Sequence, residues 1–154
     1  MIIFTPNTVI KSTEINSNFD EITSAWTTWT PTWTNLTVGN GTGVYRYKQI
    51  GKMVWWFLKF TAGSTSSASS NPRFTLPVTP HSSFADDDIY VGHGLLLDAL
   101  TQNYDIRCMW NASTDVEINT LGVGGSYSNS GSFTGPFTFG TNDRITLMGF
   151  YEAA

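Results

Sequence analysis

The side chains able to do chemistry are few and widely spaced. His81 and His93 are the two histidines, and neither has a second ligand or a nucleophile at metal or triad spacing. Asp86-Asp87-Asp88 offers carboxylates for Ca²⁺. It lacks the alternating oxygen ligands and the turn glycine of a dedicated loop, and reads as a solvated acidic turn. Cys108 is the single cysteine, so an intrachain disulfide is excluded. Its flanks, Asp-Ile-Arg-Cys-Met-Trp, alternate as a strand does, which makes Cys108 a small core filler rather than a reactive thiol. Gly122-Val123-Gly124-Gly125 has no P-loop lysine and no βαβ surroundings. The pattern calls for no cofactor, no metal and no catalytic group. Paired carboxylates for glycoside hydrolysis depend on the fold and stay open at this level.

The bulk properties point the same way. The chain has 154 residues, enough for one domain and a small appendage. Eight basic residues, scattered along the chain, face twelve acidic ones for a net charge of −4. That balance argues against a nucleic acid partner, because phosphate binding needs clustered Lys and Arg. Charged residues make up 13%, against about 25% in ordinary soluble domains. Thr, Ser, Asn and Gly replace them, giving a polar, nearly neutral surface suited to an extracellular or virion protein. No apolar run approaches the ~20 residues of a membrane span. Residues 1–10 lack the basic start and long apolar stretch of a secretory signal.

The elements that must position these residues change character at Trp26. Before it, Ser12 to Ala25 carries apolar residues at Ile15, Phe19, Ile22 and then Trp26, spaced four, three and four. This is the seam of a coiled coil. The helix is expected from a Ser12 N-cap to about Ser24 or Ala25. So short a helix is marginal alone in water. Its seam must be buried against its own β domain or against copies of itself.

After Trp26, alternating Trp and Thr with Pro31 read as an extended linker over residues 26–34 running into an edge strand. Short strands follow over residues 35–154. They are expected at 36–38, 44–50, 53–61, 74–78, 89–97, 104–110, 116–118 and 144–151. Gly39-Asn40-Gly41 and Gly51-Lys52 mark turns, and 63–71 and 122–131 read as exposed loops. Strand 53–61 is apolar on both faces, which predicts a central position covered on both sides. The fold class expected is mainly β, an antiparallel jelly-roll-like β-sandwich preceded by a short N-terminal helix. Twenty-two aromatics exceed what one small core takes. Trp29, Trp33, Tyr127, Phe133 and Phe137 are therefore expected in contacts between subunits, or stacked on sugars.

Two segments resemble a known class of protein. Ser12-Thr13-Glu14-Ile15-Asn16-Ser17-Asn18-Phe19 resembles the start of the trimerising helix in short bacteriophage tail-fibre and virion-spike proteins. Trp29-Thr30-Pro31-Thr32-Trp33, Val38-Gly39-Asn40-Gly41-Thr42, Tyr45, Tyr47-Lys48-Gln49-Ile50-Gly51-Lys52 and Phe74-Thr75-Leu76-Pro77-Val78 are similar to a β-sandwich domain of phage tail and receptor-binding proteins. The resemblance implies a non-enzymatic homotrimeric virion protein: a tail fibre, a collar or neck fibre, or a capsid spike. Residues 1–25 would form the attachment segment and trimeric helical bundle, closed by Ile15, Phe19, Ile22 and Trp26. The apolar residues Ile2, Ile3, Phe4, Val9 and Ile10 would dock on another virion protein, and the β head would meet host-surface carbohydrate. The protein would be made in the host cytoplasm and end on the virion surface. The alternative is a stand-alone carbohydrate-binding or carbohydrate-degrading protein.

Overall fold

The structure is a computed structural model, described here for residues 11–84, 89–99, 101–111, 115–120 and 137–154. Among these residues one α-helix, α1 (Ser12–Thr23), precedes nine strands, with a 3-10 turn at Ser82–Phe84. These are β1 (Thr27–Thr28), β2 (Trp33–Thr37), β3 (Thr42–Ile50), β4 (Met53–Thr61), β5 (Ser67–Thr75), β6 (Tyr90–Leu97), β7 (Asn103–Trp110), β8 (Asp115–Thr120) and β9 (Arg144–Glu152). The fold is mainly β and every strand pairing is antiparallel. The strands make one sheet, in the order β1-β3-β4-β9-β6-β7-β8-β5-β2.

The sheet curls until its two edges meet. β1 and β2 are its opposite edges, yet only four residues separate them in the chain. Five residue steps reach at most about 18 Å. Those four residues stitch the edges together. Trp29 N donates to Tyr45 O on β3, while Thr32 N donates to Thr75 Oγ1 on β5 and Thr75 N to Thr32 O. The two halves of the curled sheet thereby face each other across one core. Trp56 of β4 meets Phe74 of β5 at 5.5 Å between ring centres, and Trp33 of β2 meets Phe60 of β4 at 5.8 Å. The core thus lies inside one continuous curled sheet.

The longest pairings are the most local. β3 and β4 run in register from Thr42↔Thr61 to Ile50↔Met53 around Gly51-Lys52, where Gly51 has φ +57° as a glycine-first hairpin turn requires. β6 and β7 pair across residues 98–102. β4 alternates strictly: Val54, Trp56, Leu58 and Phe60 point into the core and are almost wholly buried. The Trp56 indole fits because Gly92 of β6 and Gly149 of β9 lie opposite one another beside it. A Cβ on Gly149 would stand 1.9 Å from Val91 O and 2.7 Å from Trp56 Cζ2.

Several expectations are corrected. Residues 63–71 are not one exposed loop, because Ser67 to Asn71 begin β5. β5 holds its place between β8 and β2 by pairing, although Pro72 cannot donate to a ladder. The proline is tolerated in a bulge, where the β2 register jumps from Thr34↔Arg73 to Leu36↔Ala68. Asn35 sits opposite that bulge at φ +60° and donates its Nδ2 to Asn71 O. β4 is central but not covered on both faces by its own chain, since Met53 and Trp55 on its outer face are exposed. The N-cap is Lys11 rather than Ser12: its N–H donates to the Glu14 carboxylate at 3.1 Å, closing the first turn. Trp29, Trp33 and Phe137 pack on the chain's own core rather than waiting for another subunit. Trp29 lies 5.9 Å from Tyr45 and 6.2 Å from Tyr47, and Phe137 stacks 5.4 Å from Tyr104.

Candidate functional site

Helix α1 has one apolar stripe and buries none of it. Ile15, Phe19 and Ile22 are 40%, 59% and 56% exposed, and no residue of α1 is buried; the helix stops at Thr23, short of Ser24 or Ala25, so Trp26, 46% exposed, stands past its end rather than on it. A helix packed on its own sheet would hide this stripe, so the domain leaves the seam open. Twelve residues are also too few for a stable isolated helix. Its C-terminal end is tied to the sheet. Glu21 Oε1 accepts the Gly51 N–H at 2.8 Å. Lys48 Nζ donates to Ser24 Oγ at 2.8 Å and also to Ser24 O. A cation on the last carbonyls of a helix complements its dipole. The Gly51 hydrogen bond holds the Glu21 carboxyl below its ordinary range. The helix is therefore pinned to the β3–β4 hairpin and projects its seam outward.

The seam runs on into the outer face of the sheet. Cross-strand register aligns Lys48, Trp55 and Phe150 in one row, and Arg46, Phe57, Met148, His93 and Arg107 in the next. Directly opposite side chains of such rows lie about 5 Å apart and act as neighbours. Between them opens a groove of about 580 Å³, whose walls include Trp26, Trp55, Tyr90, Arg107, Met148 and Phe150. Arg107 lies over the Tyr90 ring, 4.6 Å from its centre, and Nη1 donates to the Tyr90 hydroxyl. Among the described residues, every large hydrophobic side chain that is exposed belongs to the seam or to this face. Besides the four seam residues they are Val44, Met53, Trp55, Tyr90, Leu95, Met148 and Phe150.

The groups singled out for chemistry are not brought together. His93 stands exposed between Met148 and Arg107 on the outer face, while His81 Nδ1 accepts the Ser83 N–H at 3.2 Å far from it in the chain. Cys108 is fully buried, and burial pushes its thiol pKa up, so it is a packing residue as expected. Tyr151 has its hydroxyl pKa raised by burial, and that hydroxyl donates to Val78 O at 2.7 Å. Glu117 and Asp143 are the carboxylates held inside the structure by several bonds. Glu117 accepts from Asn71, Arg73 and Asn111, at 3.0 to 3.2 Å. Asp143 accepts the Ala99 and Gly140 N–H groups at 3.0 and 2.6 Å. Both arrangements tie strands and turns together. No group of three or more His, Cys, Asp or Glu among the described residues could hold a metal ion. Among them too, no helix is long and apolar enough to cross a membrane.

Ile2, Ile3, Phe4, Val9 and Ile10, the acidic run 86–88, the glycine-rich stretch 122–131, and Tyr127 and Phe133 lie outside the described residues. Of the residues named for subunit contact, Ile15, Phe19, Ile22 and Trp26 are all at the surface, and Trp26 also walls the groove. Sequence reasoning missed the sheet's share of this surface. Its signal was present in β4 and β9, where Met53 and Trp55, and Met148 and Phe150, fill the alternate positions that polar residues take in a one-sided strand. The chain matches no family model, no curated protein and no solved structure. The arrangement offers a broad apolar surface with polar edges, suited to binding a protein.

Proposed function

We propose that the chain is the subunit of a homotrimeric, non-enzymatic virion protein of a bacteriophage, a tail fibre, collar or neck fibre, or capsid spike. The observation that carries this reading is the seam of α1. Three apolar side chains, Ile15, Phe19 and Ile22, stand open at coiled-coil spacing on a helix of which no residue is buried, and Trp26 stands open three residues past its end. Such a helix needs copies of itself. The resemblance of residues 12–19 and of the Trp/Thr and β segments to phage fibre proteins supplies the trimeric state and the setting. In this reading residues 1–11 dock on another virion protein, and the β domain faces outward to host-surface glycans.

Light scattering tests the assembly. The expected mass is three times the 17.0 kDa of one chain. Phe19→Asp should give monomer, because three carboxylates would converge on one apolar axis where an unpaired charge is costly to bury. Wild-type protein that stays monomeric at micromolar concentration overturns the reading.

A further inference from the structure

We infer that the outer face of β4, β9 and β6 is the second half of the subunit contact: in the trimer it is covered by a neighbouring copy of this chain. The inference rests on the homotrimeric reading and says where most of its contact area lies.

Continuity is the first argument. Trp26, three residues past the end of α1, walls the groove with Trp55, Tyr90, Met148 and Phe150, so the chain leaving the helix enters this face directly. The Glu21–Gly51 and Lys48–Ser24 bonds fix the end of α1 to the β3–β4 hairpin that borders this face. Seam and face are thus one surface of one body. A neighbour seated on the seam lies beside the face.

Area is the second argument. Four seam side chains, each about half exposed, offer roughly 400 Å² between them, taking 150–250 Å² for a wholly buried aromatic. A stable specific interface covers about 800 Å² on each partner. The seam alone supplies about half of that, and its length is under two heptads, where lasting coiled coils use three or four. The deficit is matched on the face, where Val44, Met53, Trp55, Leu95, Met148 and Phe150 stand exposed. No other part of the described surface exposes a large hydrophobic side chain. A second copy of the chain is the occupant this deficit calls for, because a seam under two heptads needs further contact area to hold a copy in place.

The charge layout fits the same occupant. Arg107, the one arginine or lysine among the described residues of the groove's walls, is already engaged with Tyr90. Arg46 closes the row on the β3 side. An apolar centre bordered by arginine is how protein–protein contacts are built, with charge depleted at the core and arginine retained.

Phe150→Glu tests it by sedimentation equilibrium on the full chain. Phe150 is 64% exposed, so the subunit should keep its fold and its circular dichroism. The concentration at which trimer and monomer balance should rise by about tenfold or more, the scale of a central contact residue. Ser67→Glu, an exposed change of equal charge on β5, should leave it within about twofold. A second measurement uses Met148→Cys, since Cys108 is fully buried and leaves the introduced thiol as the reactive one. Maleimide should modify that thiol about tenfold more slowly in the trimer than when Phe19→Asp is added to dissociate it. If the balance point and the labelling rate stay put while Phe19→Asp still dissociates the protein, the face is free and the inference falls, with the trimer intact. A wild-type monomer would remove the homotrimeric reading itself.

Discussion

The outer surface of the sheet has two unlike halves. Over β3, β4, β9 and β6 it exposes Trp55, Phe150, Met148 and their neighbours, with bonds only at its margins. Over β7, β8, β5 and β2 it carries a closed polar network. There Glu117 accepts from Asn71, Arg73 and Asn111, Asn71 also donates to Asn119 Oδ1, and Asn35 donates to Asn71 O. Both halves share one core and one backbone ladder. The difference lies in what each leaves unfinished. The polar half ties Glu117, Asn71, Arg73, Asn111 and Asn119 to one another within the chain. The apolar half leaves Trp55, Met148, Phe150 and their neighbours exposed, the kind of patch that marks an interaction surface. One half is bonded within the chain; the other, in the reading proposed above, is the contact surface.

The sharpest way to break this comparison is to damage the core beneath the apolar half. Gly149→Ala sets a methyl group within 1.9 Å of Val91 O and against the Trp56 ring. Backbone cannot yield as a flexible side chain does, so the β6–β9 pairing must part. A loss of about 3 kcal/mol or more in subunit stability is expected, at the upper end of overpacking costs. Denaturant unfolding measures it. A change under about 1 kcal/mol would mean that the glycine pair is not what seats Trp56.

The second test strikes the polar half. Glu117→Ala removes an acceptor shared by Asn71, Arg73 and Asn111. Glu117 is 13% exposed at its side chain and Arg73 37%, so water replaces only part of the lost bonding. The expected loss is about 2 kcal/mol of subunit stability. Its mass by light scattering should not change, whereas Phe150→Glu should do the reverse, moving assembly and sparing stability. If Glu117→Ala dissociates the protein, the division of labour between the halves is wrong.

How far the sequence reveals these halves follows from the physics of each. β3, β4, β6, β7 and β9 fall within a residue or two of expectation, because alternation and turn glycines are local signals. β5 was hidden: Ser67-Ala68-Ser69-Ser70-Asn71-Pro72 has turn composition, and its strand is imposed by β2 and β8 from elsewhere in the chain. β4 showed its two apolar faces, but periodicity cannot say whether the second layer belongs to the same chain. Its outer face therefore reads as interior in the sequence, yet Met53 and Trp55 are exposed. Trp29 and Trp33 read as contact residues for the converse reason. Thr and Pro around them read as linker, while their rings close the core where the two sheet edges meet. The seam residues were legible, since helical spacing is local. The pins at Lys48 and Glu21 were not, because each acts on a residue more than twenty positions away.

The smallest effect tests whether the seam belongs to the apolar half at all. Glu21 accepts the Gly51 N–H, and that bond lowers its pKa. A carboxyl depressed in the folded state stabilises fully above its unfolded pKa, and the contribution is lost as pH falls through the folded value. The helix end should therefore stay attached down to about pH 4, the ordinary glutamate range, and loosen only below it. The Gly51 amide proton should report this directly by NMR, moving upfield with a midpoint below that range. Glu21→Gln should abolish the titration and leave the strands of the polar half unshifted, because their carboxylate is Glu117 and not Glu21. Trp26 fluorescence should follow the same curve if the pin orients the seam toward the groove it walls. A Gly51 amide indifferent to pH would mean that α1 swings free of the β3–β4 hairpin, and the seam and the sheet face would then be two surfaces rather than one.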